Sequence, residues 1–416
     1  MNKHILFISY DGMTDPLGQS QVIPYLAGLT KYGYTFTILS CDKPDKYALH
    51  KGYVQDLIEP YPIKWVSIPY HKRPAVLSSW YDYLMLKKTA IRLHRQAKFD
   101  LVHTRTGVPA LVGYWLKKNF GIKFLNDIRG FWADERVDGG MWNTDQLVYK
   151  LVYRFFKKKE DDFINIADYN ICLTFKAKEE IHTWDRINNQ PIPLEVIPCC
   201  TDMELFDPCK MDLVEREQLK IELGIKDEDV IISYLGSIGG WYLTEEMMCF
   251  CKMLSEQVPR AKFLFISPHL HDVIDTAALK YGLPVDKLIL KQGKRHEIPL
   301  LLSFSHYSVF FIKSCYSKIS SSPTKHGEIM AMGIPVITNS GVGDVKEIIE
   351  KYESGYIVKD FSAKSFAEVI AAIKKGDLFN RTKIKKGAEE FYALDHAVSS
   401  YHKVYTNIFE QGLKGA

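Results

Sequence analysis

Residues Ser320–Lys346 read SSSPTKHGEIMAMGIPVITNSGVGDVK, and this stretch carries the alternation that decides the fold. Ser322-Pro323 pairs a capping hydroxyl with a proline suited to a first helical turn, so a helix is predicted over Pro323–Met332. Gly333 ends it, and the apolar run Ile334–Thr338 follows at once as a buried strand. Ser340-Gly-Val-Gly-Asp344 then turns the chain into another helix. Helix, strand, glycine loop and helix in so short a span is the repeating unit of a parallel sheet covered by helices.

The same alternation runs outward in both directions. Val230–Gly236, Lys262–Ser267, Lys287–Lys291 and Tyr307–Ile312 read as strands before it and Gly355–Val358 after it, with helices between, as at Thr244–Gln257 and Ser362–Lys375. Nearer the start, His4–Ser9, Thr35–Ser40, Lys64–Ile68, Leu101–His103, Lys123–Asn126, Tyr169–Leu173 and Glu195–Pro198 read as strands. Gln21–Lys31, Trp80–Lys98 and Asp145–Ala167 read as helices among them. The pattern lapses over the polar stretch Asp202–Glu222, which closes in a helix around Leu213–Leu223. The expected fold class is α/β: two Rossmann-like, doubly wound parallel-sheet domains, residues 1–203 and 204–392, followed by a C-terminal helical segment, 393–416. Tandem domains of this kind are expected to face a cleft lined by the loops at their carboxyl sheet edges.

Of the 416 residues 46% are hydrophobic and 25% charged, which excludes a disordered chain, a collagen-like repeat and a small disulfide scaffold. No run reaches the ~18 apolar residues of a membrane span. The run Ile5 to Ile8 is too short for the core of a secretory signal. The eight cysteines form no C-x-x-C pair, so no zinc site is read from them and reduced thiols in a cytoplasmic protein are expected. The net charge of +4 conceals an asymmetry: residues 1–160 hold 24 Lys/Arg against 14 Asp/Glu, and the remainder 30 against 36.

Two glycine loops carry candidate chemistry. Tyr10–Gln21, with Gly12 and Gly18, joins the first strand to its helix and leaves N–H groups free for an anion, although a tight turn would use the same glycines. It is not the G-x-G-x-x-G dinucleotide fingerprint. The second is the Ser340–Asp344 loop. Lys325 lies in the first turn of the preceding helix, where the helix dipole disfavours a cation unless an anion binds there. Glu328, three residues on, could accept hydrogen bonds from a sugar diol. A solvated Lys325–Glu328 pair is the other reading of these two residues.

Glu328-Ile-Met-Ala-Met-Gly-Ile-Pro-Val-Ile337 resembles the second half of the E-x7-E signature, and the strand after it, in GT-B glycosyltransferases of family 4, the group 1 retaining transferases. ISYDGMTDPLGQSQ (Ile8–Gln21), Val196–Asp202 and the terminal helix are similar to that family too, so the resemblance covers essentially the whole chain. It implies the GT-B fold, a terminal helix crossing back to the first domain, and a nucleotide-diphosphate-sugar as donor with no cofactor or metal. It implies that Glu328 binds the ribose hydroxyls, that Gly18 gives its N–H to the diphosphate, and that Gly341, Gly343 and Asp344 line the nucleotide pocket. Gly236, Ser237, Ser322 and Thr324 complete the donor side.

Two positions depart from the family. The first Glu of E-x7-E falls at Ser320, and the family's Arg and Lys fall in Gly236–Tyr242, where Ser237 and Tyr242 stand. A departing diphosphate still needs positive charge. Lys325 is the expected substitute, with Lys294 or Arg295 as further candidates.

On the acceptor side, Phe124–Arg136 turns abruptly polar at a strand end. Asp127 best fits the family's acceptor-facing residue, as a base or to orient the attacking hydroxyl. Arg129 would balance its charge or contact phosphate. His103, Arg105, Asp134 and Glu135 are further acceptor-side candidates, and a local salt-bridge network that shapes the loop is the competing reading. Tyr70–Arg73, Trp80–Lys88 and Tyr149–Lys159 mix cations with aromatics. That composition suits an anionic membrane surface, and equally a solvated helix face. The acceptor expected is a glycan or a polyprenyl-linked saccharide, handled at the inner face of the plasma membrane. No nucleic-acid module is present. The competing functions are a nucleotide-sugar 2-epimerase and a non-catalytic sugar-nucleotide-binding subunit.

Overall fold

The structure is a computed structural model that describes residues 3–188, 190–268, 273–376 and 378–411. The chain divides into two compact units, Met1–Cys199 with Leu394–Ala416, and Cys200–Ala393.

The first unit holds a seven-stranded sheet: β1 (Lys3–Ser9), β2 (Tyr34–Asp42), β3 (Ile63–Pro69), β4 (Leu101–Arg105), β5 (Lys123–Asp127), β6 (Tyr169–Cys172) and β7 (Leu194–Val196), in the order β3-β2-β1-β4-β5-β6-β7. The second holds β8 (Val230–Leu235), β9 (Ala261–Ile266), β10 (Leu288–Lys291), β11 (Tyr307–Val309), β12 (Val336–Asn339) and β13 (Gly355–Val358), in the order β10-β9-β8-β11-β12-β13. Every pairing is parallel. Central strands are apolar along their length because helices cover both faces; Ile5, Leu6, Phe7 and Ile8 are all buried. The fold class is the expected one, and each predicted strand is present.

Each sheet reverses its winding beside its first strand: β1 lies between β2 and β4, and β8 between β9 and β11. Loops leaving such a reversal diverge and open a crevice at the carboxyl edge. The Gly12–Gly18 loop follows β1 and the Gly236–Tyr242 loop follows β8, so these two loops occupy the switch points, whereas the Ser340–Asp344 loop follows β12.

Two helix starts differ from expectation. Gln21–Lys31 is not one helix but the end of Pro16–Gln21 and the whole of Ile23–Thr30, broken at Val22. Pro24 has no N–H for the Ser20 carbonyl, which interrupts the ladder there. The helix after Ser322 spans Thr324–Ala331; Pro323 takes the N-cap position, and no side chain caps it. The terminal helix Leu394–Gln411 packs against Ile23–Thr30 within the first unit. Among the described residues no helix is long and apolar enough to cross a membrane.

Candidate functional site

In the second unit the site is built around Lys325, the second residue of helix Thr324–Ala331. The residue is 6% exposed, and its Nζ has no hydrogen-bond partner among the described residues. The ammonium instead lies over aromatic faces, 3.7 Å from the Tyr242 ring centroid and 4.5 Å from that of Tyr234. Gly236, at φ +118°, makes room for it: a Cβ there would stand 2.9 Å from Nζ. Burial pushes the Lys325 pKa down to about 7, against the opposing pull of Glu328. Ring faces alone compensate a buried cation poorly. Beside it, the N-cap position of the helix holds Pro323, which has no side-chain group to cap the first-turn N–H groups. The arrangement suits an anion.

Glu328 is buried and paired with the Arg295 guanidinium, which also lies over Phe206 at 5.1 Å. Arg295, expected among the substitute cations for the diphosphate, is paired with Glu328. Lys294, the other candidate, is exposed on a surface turn whose amide donates to Glu297. Only Lys325 of the three reaches the Gly236 loop.

Ser320, at the position of the family's first Glu, is 1% exposed and donates to the Ser317 carbonyl 2.7 Å away. It is part of a buried turn. Gly343 N–H donates to the Lys318 carbonyl, tying the Ser340–Asp344 loop to that turn, and the Lys318 ammonium lies 3.7 Å from the Trp241 ring centroid. Asp344 is buried at the head of helix Val345–Tyr352, and Ser322 and Thr324 are half-buried beside the Lys325 helix start. Ser237 accepts at its carbonyl from the Tyr234 hydroxyl. Sequence reasoning missed Asn339, whose amide bonds the Ile312 N–H and carbonyl and the Ser340 carbonyl. An asparagine ending a buried strand was the available signal.

In the first unit, Gly18 lies in the first turn of helix Pro16–Gln21, where no intrahelical carbonyl reaches its N–H. Its glycine identity follows from close approach: a Cβ would stand 2.5 Å from the Gly12 carbonyl and 2.6 Å from Met13 Cα. The loop is held by buried Asp42, which accepts from Thr14 N–H and from the Thr14, Ser40 and Ser67 hydroxyls. Asp42 was not singled out in the sequence.

Asp127 ends β5, but its carboxylate does not face an open edge. It is 2% exposed and accepts from the Tyr401 hydroxyl at 2.8 Å, with His103 Nε2 at 3.3 Å and Arg129 at 3.6 Å. Burial opposes its charge, yet Arg129, His103 and Arg105 bring its pKa down to about 2. A carboxylate so held is a poor base, which differs from the first of the two roles expected of it, and Tyr401 of the terminal helix closes over it. His103 is also enclosed, its other nitrogen bonded to the Tyr405 hydroxyl, and burial holds its pKa below the ordinary value. Arg129 is buried against Asp127 and Cys199, and Arg105 donates to the Gln21 carbonyl and pairs with Asp11. Asp134 is likewise a buried tie, accepting from Tyr153 and Lys157 of helix Leu147–Ile166. Glu135, half-buried, follows it. Within this loop Asp127 and Arg129 pair with each other, and Asp127 and Asp134 are also tied to residues of other elements.

Known proteins share this architecture. The family described as Glycosyl transferases group 1 matches residues 215–391, and that described as Glycosyltransferase Family 4 matches residues 19–205. Sucrose-phosphate synthase from Thermosynechococcus elongatus superimposes with a TM-score of 0.73 at 16% identity, over 98% of this chain and 100% of that one. A glycosyltransferase from Rickettsia africae gives 0.71 at 15%, over 98% and 99%. Anabaena HepE, solved in complex with UDP and glucose, gives 0.70 at 12%, over 97% and 99%. No curated protein sequence matches the chain. The chain belongs to the GT-B glycosyltransferases of group 1, family 4.

Proposed function

We propose that this glycosyltransferase is a retaining hexosyltransferase that takes a nucleotide-diphosphate-sugar as donor and a glycan or lipid-linked saccharide as acceptor, in the synthesis of cell-surface polysaccharide or glycoconjugate. The observation that carries the donor half is the unpartnered Lys325 ammonium beside Gly236. A departing diphosphate supplies the anion this cation lacks, and the uncapped start of its helix adds N–H donors. Charge so placed stabilises the leaving group without a metal in this reading. Glu328 takes the ribose hydroxyls, with Arg295 orienting it. Asp127 acts as a positioning residue: it ties the ends of β4 and β5 to the terminal helix rather than taking a proton. The HepE complexes with UDP and UDP-glucose make uridine nucleotides the first donors to try.

The test is a thermal-shift screen of UDP-, GDP-, ADP- and CMP-sugars, since a ligand that binds only the native state raises its melting temperature. The best binder is then given acceptor saccharides, and the anomeric configuration of the product is read by NMR. A rise with one nucleotide class and a product of unchanged anomeric configuration are expected. No shift with any donor overturns the reading, and so does conversion of the donor to its 2-epimer without acceptor.

A further inference from the structure

The first unit contains a cavity of about 500 Å³ that none of the donor-side residues touch. It falls within the range of roughly 300–1,000 Å³ usual for small-molecule sites. Four of its lining residues follow directly on sheet strands or open the structure after them: Tyr10 after β1, Tyr70 after β3, Val108 after β4 and Trp132 after β5. The cavity therefore lies at the carboxyl edge of the sheet, where α/β folds bind ligands. Its wall is aromatic: Trp132 packs edge-on to Trp142 at 5.4 Å and lies 4.6 Å from Phe156 between ring centroids.

The cavity opens through apolar side chains. Trp80, Leu151 and Phe155 line it and are 54%, 56% and 43% exposed. Leu77 on the Trp80 helix, Leu77–Ala97, and Leu147 and Val148 on the Leu151 helix, Leu147–Ile166, extend the patch and are more exposed still. Exposed large apolar side chains gathered on these two helices mark an interaction site. Around it stand exposed Lys72, Arg73, Lys150, Arg154 and Lys158. Lys72 and Arg136 reach the cavity lining itself, and the Arg136 guanidinium lies 3.9 Å from the Trp132 ring centroid. Apolar walls, an apolar mouth and cations at the lining fit a hydrocarbon chain that carries an anionic head.

We infer that this cavity binds the isoprenoid chain of a lipid-diphosphate-linked acceptor, with the head-group phosphates against Lys72 and Arg136. The inference rests on the glycosyltransferase reading and narrows its acceptor to the lipid-linked class. Peripheral contact with the membrane follows, because the exposed apolar helices would enter the surface from which the lipid is drawn.

The probes are farnesyl diphosphate, geranyl diphosphate and inorganic pyrophosphate, added to the full-length protein. Binding is read as a change in tryptophan fluorescence, since Trp80, Trp132 and Trp142 line the cavity. Farnesyl diphosphate is expected to bind about tenfold or more tightly than geranyl diphosphate, because each buried methylene adds affinity. Pyrophosphate is expected not to bind. Ala75→Trp, at an exposed lining residue, and Phe155→Asp, at the rim, should each weaken farnesyl diphosphate about tenfold while the protein stays folded by its melting temperature. Equal binding of the two prenyl lengths, or unchanged affinity in both variants, overturns the inference. So does displacement of farnesyl diphosphate by phosphatidylglycerol vesicles at equal lipid concentration, which makes the cavity a general membrane anchor. UDP-sugar binding measured on the same protein separates the two failures. A nucleotide-sugar shift without prenyl binding removes this inference alone, whereas prenyl binding without any nucleotide-sugar shift removes the donor reading on which the acceptor role depends.

Discussion

The Nζ of Lys325 lies 3.7 Å from the ring centroid of Tyr242, a residue of the loop that follows β8. The ammonium comes to that loop from a helix more than eighty residues downstream. Lys325→Met tests what the cation is for. Removing a buried, unpartnered amine should stabilise the protein by ~1–3 kcal/mol. Loss of its charge-assisted contacts should weaken nucleoside diphosphate binding roughly 10- to 150-fold. Urea unfolding and calorimetric titration of UDP measure the two effects, and a variant both less stable and unaltered in affinity contradicts the assignment.

The same site predicts a pH dependence. The Lys325 pKa is lowered to about 7 in the folded protein, below its unfolded value of ~10.4. The unfolded chain therefore binds the extra proton between these values, and this group makes stability rise with pH from about 7 to about 10. A bound anion favours the ammonium and raises the folded pKa again. Binding should then take up a proton, and affinity should fall by up to tenfold per pH unit above about 7. Titration of UDP at pH 8 in two buffers of different ionisation enthalpy reads the uptake, which Lys325→Met should abolish.

How much of this was legible follows from the distances in sequence. Strands and the glycine loop after β1 were legible because buried parallel strands leave short apolar runs, and because glycine is needed where the backbone approaches closely. Glu328 and Lys325, three residues apart, suggested a mutual pair. In the folded unit Glu328 turns to Arg295, while Lys325 turns to Tyr242. Helical spacing gives proximity but does not choose a partner. Asp127 read as an acceptor-facing residue, a base or an orienter of the attacking hydroxyl, because Tyr401, which covers it, and Tyr405, which encloses its partner His103, come from the other end of the chain. Nothing local to Asp127 announces them.

That enclosure has an acid signature. Asp127 titrates near 2 in the fold against ~3.9 unfolded, so its contribution is complete above about pH 4 and is lost as pH falls towards 2. His103 is held neutral below its ordinary pKa, so stability also declines as pH drops below ~6.5, where the unfolded imidazole takes a proton. Urea midpoints at pH 8, 6 and 4 should fall in that order. Asp127→Asn leaves Arg129 buried without its counter-charge and should cost ~3–5 kcal/mol at pH 8. A loss below 1 kcal/mol at that pH rejects the buried network.

Gly236→Ala probes the room made for the cation. At φ +118° an alanine is strained, and its Cβ would stand 2.9 Å from Lys325 Nζ. The strain should cost ~1–3 kcal/mol, and the ammonium should be displaced. UDP affinity is then expected to fall towards that of Lys325→Met, and the double variant should bind no worse than Lys325→Met alone. Additive losses would show that the glycine serves the nucleotide by another route.

Glu328 is paired with Arg295, so its assignment to the ribose needs a test that isolates that contact. A double-mutant cycle does this, with ligand chemistry as the second change. Glu328→Gln should weaken UDP roughly 10-fold or more, as expected for losing a charged acceptor of two hydroxyl hydrogen bonds. The 2′,3′-dideoxy analogue of UDP should bind wild type more weakly by a similar factor, since it lacks those hydroxyls. The variant, having no carboxylate to satisfy, should bind the analogue about as well as it binds UDP. Arg295→Met tests the orienting role: it leaves Glu328 unpaired and should weaken UDP while leaving the dideoxy analogue nearly unchanged, because the guanidinium acts on the sugar only through the carboxylate. If Glu328→Gln weakens UDP and its dideoxy analogue equally, the carboxylate does not read the ribose, and its role reduces to holding Arg295 against Phe206.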